Sequence, residues 1–347
     1  MPNRHHHSAF LKPARGRVGS RSGSHANGLK PAELPGGAGR EGRQAVSARE
    51  ICGLARGCAV HRSGVQGDRR LALLLEPSRL FLVGAPQVSG EHRLMQATKL
   101  VELLRGAKQM LVFTGAGIST GSGIPDFRGP DGVWKRRQPV YYHDFMRSEA
   151  ARIEHWDYKL EGWPAFREAR PNATHEAIVR LERAGKVVAV VTQNIDGLHA
   201  RAGTSAERLV ELHGTNSFVE CQSCGQRSDP EAHFEKFRKT RRPPVCECGG
   251  FLKPATISFG QNLRNEDLER AEAAAKGADL VVALGSTLSV YPAANIPLLA
   301  ANRGVPYVVI NRGATEHDDL PEVTLRLEGD VGEMFPPAVE AALALLS

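Results

Sequence analysis

Met110-Leu111-Val112-Phe113-Thr114-Gly115-Ala116-Gly117-Ile118-Ser119 passes from an unbroken apolar run into a glycine-spaced turn. A short apolar run bounded by turn residues is the pattern of a strand buried on both faces. Glycines at such a strand end let backbone N–H groups approach a pyrophosphate. The spacing Gly115-x-Gly117-x-x-x-Gly121 is not the full dinucleotide fingerprint, and no acidic residue closes a following strand in the usual place. Alone, the turn says little more than that the chain is an α/β protein.

Outward from this stretch, apolar runs bounded by Gly or Asn alternate with helical patterns, predicting a Rossmann-like parallel α/β sheet with helices on both faces. Strands are expected at 110–113, 187–191, 280–284, 307–310 and 323–327. Helices are expected at 95–106, opened by Met95, and at 174–184, 265–276, 293–302 and 332–346. Two segments break the rhythm, 131–171, rich in aromatics and charges, and 221–254, which holds four cysteines. They read as insertions forming a smaller, zinc-binding lobe. The larger lobe then comprises 95–130, 172–220 and 255–347.

Of 347 residues, 41% are hydrophobic and 24% charged, and the formal net charge is +7. The charge is unevenly placed. Residues 1–95 hold 15 Lys+Arg against 6 Asp+Glu, and the remainder holds 30 against 32. A basic extension over residues 1–94, low in periodicity, is expected to be disordered or non-native, and to bind nucleic acid at most without sequence specificity. The longest apolar runs fall far short of the roughly 20 residues of a membrane span. With no secretory signal and clustered cysteines, the expected location is the cytoplasm.

Cys221-x-x-Cys224 and Cys246-x-Cys248, separated by 21 residues, form two close thiolate pairs flanked by Gly225 and Gly249. Four such ligands suit a closed tetrahedral zinc site, structural rather than catalytic. After the first turn comes Gly121-Ser122-Gly123-Ile124-Pro125-Asp126-Phe127-Arg128-Gly129, with Trp134 beyond it, where a hydride-transfer domain would have a helix. A loop carrying a ring and a guanidinium over a cofactor is the expectation. The second strand ends Gln193-Asn194-Ile195-Asp196, placing polar side chains where open α/β sheets bind ligands. His213, in Glu211-Leu212-His213-Gly214, lies between this strand end and the cysteines. Imidazole titrates where a general base must.

The run 115–128, the Gln193–Asp196 tetrad, His213-Gly214, the paired cysteines and Gly285-Ser286-Thr287-Leu288 stand in the order and spacing of the sirtuin family, which this chain resembles from about residue 95 to its end. The resemblance implies an NAD-dependent protein-lysine deacylase that consumes NAD as co-substrate and acts on acylated-lysine proteins or peptides. Its products are free lysine, nicotinamide and O-acyl-ADP-ribose. Catalytic roles fall on His213, Asn194 and Asp196. The resemblance assigns NAD contacts to Gly115, Ala116, Gly117, Ile118, Asp126, Phe127, Arg128, Trp134, Gln193, Asn194, Ile195 and Asp196, and beyond the cysteines to Gly285, Ser286, Thr287, Asn311 and Arg312. Substrate would meet His213, Phe259, Gly260 and Val290, the peptide adding as a strand between 258–260 and 288–291.

Three departures from the family pattern stand out. The second cysteine pair is C-x-C instead of C-x-x-C. Gln261 stands where a glutamate is common. No Tyr-x-x-Arg occurs between residues 140 and 170, the pair with which a desuccinylase pocket binds an acyl carboxylate, so acetyl or longer neutral chains are expected. Mono-ADP-ribosyl transfer or NAD hydrolysis at the same site is the alternative reaction. A non-catalytic NAD or zinc binding module is the alternative class.

Overall fold

The computed structural model describes residues 90–126 and 138–344. In chain order its elements are α1 (Gly90–Gly106), β1 (Met110–Thr114), α2 (Tyr142–Arg147), α3 (Glu149–Glu168), α4 (Ala173–Arg183), β2 (Val187–Thr192), α5 (Leu198–Ala202), β3 (Leu209–Glu211), β4 (Gly214–Cys221), β5 (Arg227–Ser228), α6 (Pro230–Thr240), β6 (Leu252–Thr256), α7 (Asn265–Gly277), β7 (Leu280–Leu284), α8 (Asn295–Ala301), β8 (Tyr307–Asn311), β9 (Leu325–Glu328) and α9 (Val331–Ala344).

Six strands form one sheet in the order β3-β2-β1-β7-β8-β9. Every neighbouring pair is parallel, with Met110 against Val187 on one side and Leu280 on the other. The alternation of β1 sorts its side chains between two cores. Met110 and Val112 pack with Leu104 of α1, Ile178 of α4 and Phe335 of α9. Leu111 and Phe113 face the other way, towards Ala271 and Ala275 of α7 and Ile296 of α8. With helices on both faces no strand side is left for water, which is why the strands read as continuous apolar runs.

A smaller antiparallel sheet, β5-β4-β6, lies between β3 and β7 in the chain. Its strands pack with α2, α3 and α6 around Phe145, Trp156, Trp163, Phe234, Phe237 and Leu252. The indole of Trp156 donates to the Leu252 carbonyl at 3.1 Å, so this aromatic core buries its polar handle satisfied.

Several boundaries differ from those read in the sequence. The first helix opens at Gly90 instead of Met95, the last strand covers Leu325–Glu328 instead of 323–327, and α9 runs from Val331 to Ala344 instead of 332–346. Strand β3 was not anticipated, since three residues are too few to show a period. Nor was α3, a helix of 20 residues, because its buried stripe of His155, Trp156 and Trp163 is interleaved with charges and Pro164. Ser148 caps it, its hydroxyl accepting from Ala151 N at 3.3 Å.

Candidate functional site

The strand order reverses between β1 and β7, and in open parallel sheets ligands bind outside the carboxyl ends of the strands at such a switch. Here the two strand ends fit into one another. Gly115 N donates to Leu284 O at 3.0 Å and Gly117 N to Gly285 O at 2.8 Å. A Cβ on Gly115 would stand 2.7 Å from Gly285 O, and one on Gly117 2.8 Å from Gly285 Cα. Gly285 itself holds φ +62°. Only glycine permits this approach, and the result is a close-packed backbone cradle free of side chains, with the Gly115, Gly117 and Gly285 N–H groups bonded to Leu284 O, Gly285 O and Ile310 O.

Around the cradle opens a cleft of about 570 Å³. It is lined by Gly115, Ala116, Gly117 and Asp126, by Gln193, Asn194 and Ile195 from the end of β2, and by His213 from the end of β3. Gly285, Ser286 and Thr287 follow β7 into it, Asn311 and Arg312 follow β8, and Phe259, Gly260 and Val290 complete the wall. Two expected residues stand behind the lining: Ile118 is packed in the core and Asp196 is buried. Phe127, Arg128 and Trp134 lie outside the described residues.

A hydrogen-bonded network fixes the polar side chains. Gln193 Nε2 donates to Ser286 Oγ at 2.8 Å, bridging β2 to the turn after β7. Asn194 Nδ2 donates to Gly115 O and to Ser119 Oγ, both at 3.1 Å. The same Ser119 hydroxyl donates to Asp196 Oδ2 at 2.7 Å, while Asp196 Oδ1 accepts from Leu198 N at 2.9 Å. Burial raises the Asp196 pKa, against the lowering effect of these bonds. His213 Nδ1 lies 3.0 Å from the Gln193 carbonyl oxygen, and His213 O accepts from Ile257 N at 2.7 Å. The imidazole is thus held between β2 and the segment after β6.

Sequence reasoning missed Ser119, the hub of that network. It also missed Asn172, which caps α4 by accepting from Thr174 N at 3.0 Å and donates from Nδ2 to Ile118 O at 2.7 Å and Ser122 Oγ at 2.9 Å. The Pro171-Asn172 pair ahead of a helical pattern was the available signal.

The four cysteines converge, all Sγ atoms lying within 4.8 Å of one another. Cys221 and Cys248 are 3.5 Å apart, and Cys224 and Cys246 3.9 Å. Tetrahedral Zn–S bonds of about 2.3 Å place ligand sulfurs roughly 3.8 Å apart, so the donor set fits zinc. The shorter C-x-C pair closes the site all the same. Backbone N–H groups of Cys224 and Ser223 lower the Cys221 thiol, while the neighbouring thiols Cys224 and Cys221 push that of Cys248 up.

Comparison with known proteins places this geometry among characterised ones. The Sir2 family model matches residues 115–292. NAD-dependent protein deacetylase 1 of Bradyrhizobium diazoefficiens is 42% identical over 241 residues, covering 70% of this chain and 94% of the relative. The NAD-dependent protein deacetylase of Haloarcula marismortui is 41% identical over 249 residues, covering 70% and 92%. Among solved structures, a Sir2–p53 peptide–NAD+ complex superposes with TM-score 0.65 at 36% identity, covering 72% of this chain and 100% of that one. Sir2Tm bound to a propionylated peptide gives TM-score 0.63 at 35% identity, covering 72% and 100%.

Proposed function

This chain belongs to the Sir2 family and is an NAD-dependent protein deacylase, and we propose from that premise how its own residues divide the work. The Gly115–Gly117 and Gly285 cradle receives the dinucleotide phosphates, with Asn311 and Arg312 towards the adenosine end. Arg312 pairs with Asp330 at 2.7 Å, which holds the guanidinium at the cleft margin. Gln193, Asn194 and Asp196 address the nicotinamide ribose and carboxamide. We assign further NAD contacts to Asp126, which lines the cleft, and to Phe127, Arg128 and Trp134, which lie outside the described residues. Cleaving the glycosidic bond builds oxocarbenium character, so exclusion of water and fixed dipoles are what the site must supply.

The observation that carries the base assignment is the contact between His213 Nδ1 and Gln193 O. A carbonyl oxygen only accepts, so Nδ1 carries the proton and donates. The lone pair is thereby left on Nε2, the form a general base needs to take a proton from a ribose hydroxyl. The acyl-lysine peptide runs as an added strand past Phe259, Gly260 and Val290. Tyr142 N donates to Phe259 O at 2.9 Å, tying that wall to the α2 end of the smaller lobe. The thiolate cluster holds structural zinc and takes no part in the chemistry.

The partners are acylated proteins or peptides. No helix among the described residues is long and apolar enough to cross a membrane. We place the enzyme in the cytoplasm on its unpaired cysteine pattern, and the catalytic domain at residues 95–347. The test is incubation of purified protein with NAD and an acetyl-lysine peptide, with products identified by mass. Free lysine with O-acetyl-ADP-ribose is expected. ADP-ribose without unmasked lysine would overturn the reading in favour of hydrolysis or ADP-ribosyl transfer.

A further inference from the structure

Strand β9 is the edge of the parallel sheet, and its alternation sends Leu325 and Leu327 into the core beside α9 and Arg326 to the opposite face. A solvated cation is the ordinary occupant of an edge strand. Arg326 is different, because its side chain is only 19% exposed and its guanidinium is taken up almost wholly by neighbouring chain.

Nε donates to Asp318 Oδ1 at 2.6 Å, Nη1 to Asn311 O at 3.1 Å and to Leu327 O, and Nη2 to Gly313 O at 2.6 Å. Little of the donor capacity of the planar fork is left over. Asp318 is fixed in turn, Oδ2 accepting from Thr315 N at 3.0 Å and Oδ1 from the Thr315 hydroxyl at 2.5 Å. Burial pushes the Asp318 carboxyl up, but the bonds from Thr315 and Arg326 outweigh it and hold the pKa below the ordinary value. The pair therefore meets as two charges.

What this clamp grips is a turn in the wall of the cleft. Asn311 and Arg312 line the cavity, and Arg326 stands behind them. Asn311 is 6% exposed, and its Nδ2 donates to Arg312 O and Gly313 O, both at 3.1 Å, which folds the amide into the turn. Gly313 O thus accepts from Asn311 on one side and from Arg326 on the other. The cleft residue and the guanidinium behind it meet on a single oxygen. Gly313 itself, at φ +82°, gives the turn freedom rather than rigidity. Beyond it the same loop is tied to the cleft again, Glu316 N donating to the carbonyl of Thr287, another lining residue, at 3.0 Å.

Resting on the reading that this turn receives the adenosine end of NAD, we propose that Arg326 is a positioning residue for the dinucleotide: with Asp318 it locks the Asn311-Arg312-Gly313 turn in its binding arrangement and sets NAD affinity without touching NAD. A turn that is competent only about a tenth of the time binds about tenfold more weakly. Lysine at this position keeps the charge and loses the fork that spans two carbonyls and a carboxylate.

The test measures Kd for NAD and for ADP-ribose by calorimetry, and KM and kcat with a saturating acetyl-lysine peptide, in full-length wild type, Arg326→Lys and Asp318→Asn. Arg326→Lys should raise both Kd values and the KM for NAD about tenfold while kcat at saturating NAD stays within about twofold. Asp318→Asn should move the same quantities in the same direction, by about threefold. A clamp that is only structural would lower Tm and leave both Kd values in place, so a Kd for NAD within about twofold of wild type in folded Arg326→Lys overturns the inference. If Arg326→Lys does not fold, Asp318→Asn decides, unchanged affinity again overturning it. Asn311→Ala tests the premise separately: unchanged ADP-ribose binding there removes the adenosine reading and the inference with it. Weakened binding in Asn311→Ala beside wild-type binding in Arg326→Lys sinks the inference alone.

Discussion

Gly117 N donates to Gly285 O at 2.8 Å, and a Cβ on Gly285 would stand 2.5 Å from the nitrogen of Ile118. The two strand ends beneath the proposed phosphate site therefore touch backbone to backbone. Gly285→Ala adds a clash with immovable main chain to the strain of an L-residue at φ +62°. Titration calorimetry should show NAD affinity falling by about tenfold or more, with Tm lowered as well. Retained affinity would mean that the cradle does not hold the phosphates.

His213→Ala should lower deacylation kcat/KM by roughly 10²–10⁴-fold, the range ascribed to general-base catalysis. The proposed phosphate contacts do not include its ring, which meets a single ribose hydroxyl, so the Kd for NAD should change far less than kcat/KM, by less than about tenfold. Single-turnover kinetics beside direct binding separates the two. Deacylation at the wild-type rate would remove His213 from the mechanism.

Ser119 joins Asn194 to Asp196 through one hydroxyl. Ser119→Ala leaves two buried polar groups short of a partner, at about 1–3 kcal/mol. The expected signature is a KM for NAD raised roughly tenfold with a smaller change in kcat for a saturating peptide. An unchanged KM would show that the network is structural only.

Burial lifts the Glu211 carboxyl to about 7. Below its unfolded pKa, near 4.5, both states carry the proton. Between there and about 7 the folded protein keeps a proton that the unfolded chain releases, so stability falls as pH rises through that window. Glu211→Gln removes this loss. Its Tm should match that of the wild type at about pH 4 and exceed it at pH 8, by an amount reflecting on the order of 3 kcal/mol. Parallel Tm curves for the two proteins across that range would contradict the burial assigned to Glu211.

Metal analysis should find one zinc per chain. Strong chelation, or Cys224→Ser, should release it and lower Tm by more than about 5 °C, because Cys221 and Cys246 are part of the smaller aromatic core. Full thermal stability in a metal-free protein would show that the thiols hold the lobe without an ion.

The parallel sheet was legible in the sequence because strands such as Met110–Thr114 and Leu280–Leu284 are buried on both faces and so are written as uninterrupted apolar runs. The glycine turns were legible because close backbone approach admits no other residue. Strand β3 was not, being held in place by its register, Val190 against Leu209, rather than by a pattern of its own. Helix α3 escaped notice because its stripe is aromatic and cationic, and packing rather than period makes it a helix. Ser119 looked like an ordinary polar residue. Its place in the network comes from Asp196, far away in the chain, and a local reading does not reach that far.

The central strand β1 pairs β2 on one side and β7 on the other, and between β2 and β7 the chain first builds the entire antiparallel sheet. At a ribosome's pace of about 5–20 residues per second, β7 emerges on the order of ten seconds or more after β1. Throughout that interval a strand buried along its whole length in the finished sheet has a bare hydrogen-bonding edge, the feature that invites pairing with another chain. The active cleft, lying on that very seam, cannot form until β7 has emerged, and slow translation upstream of Leu280 would prolong its exposure to misassembly.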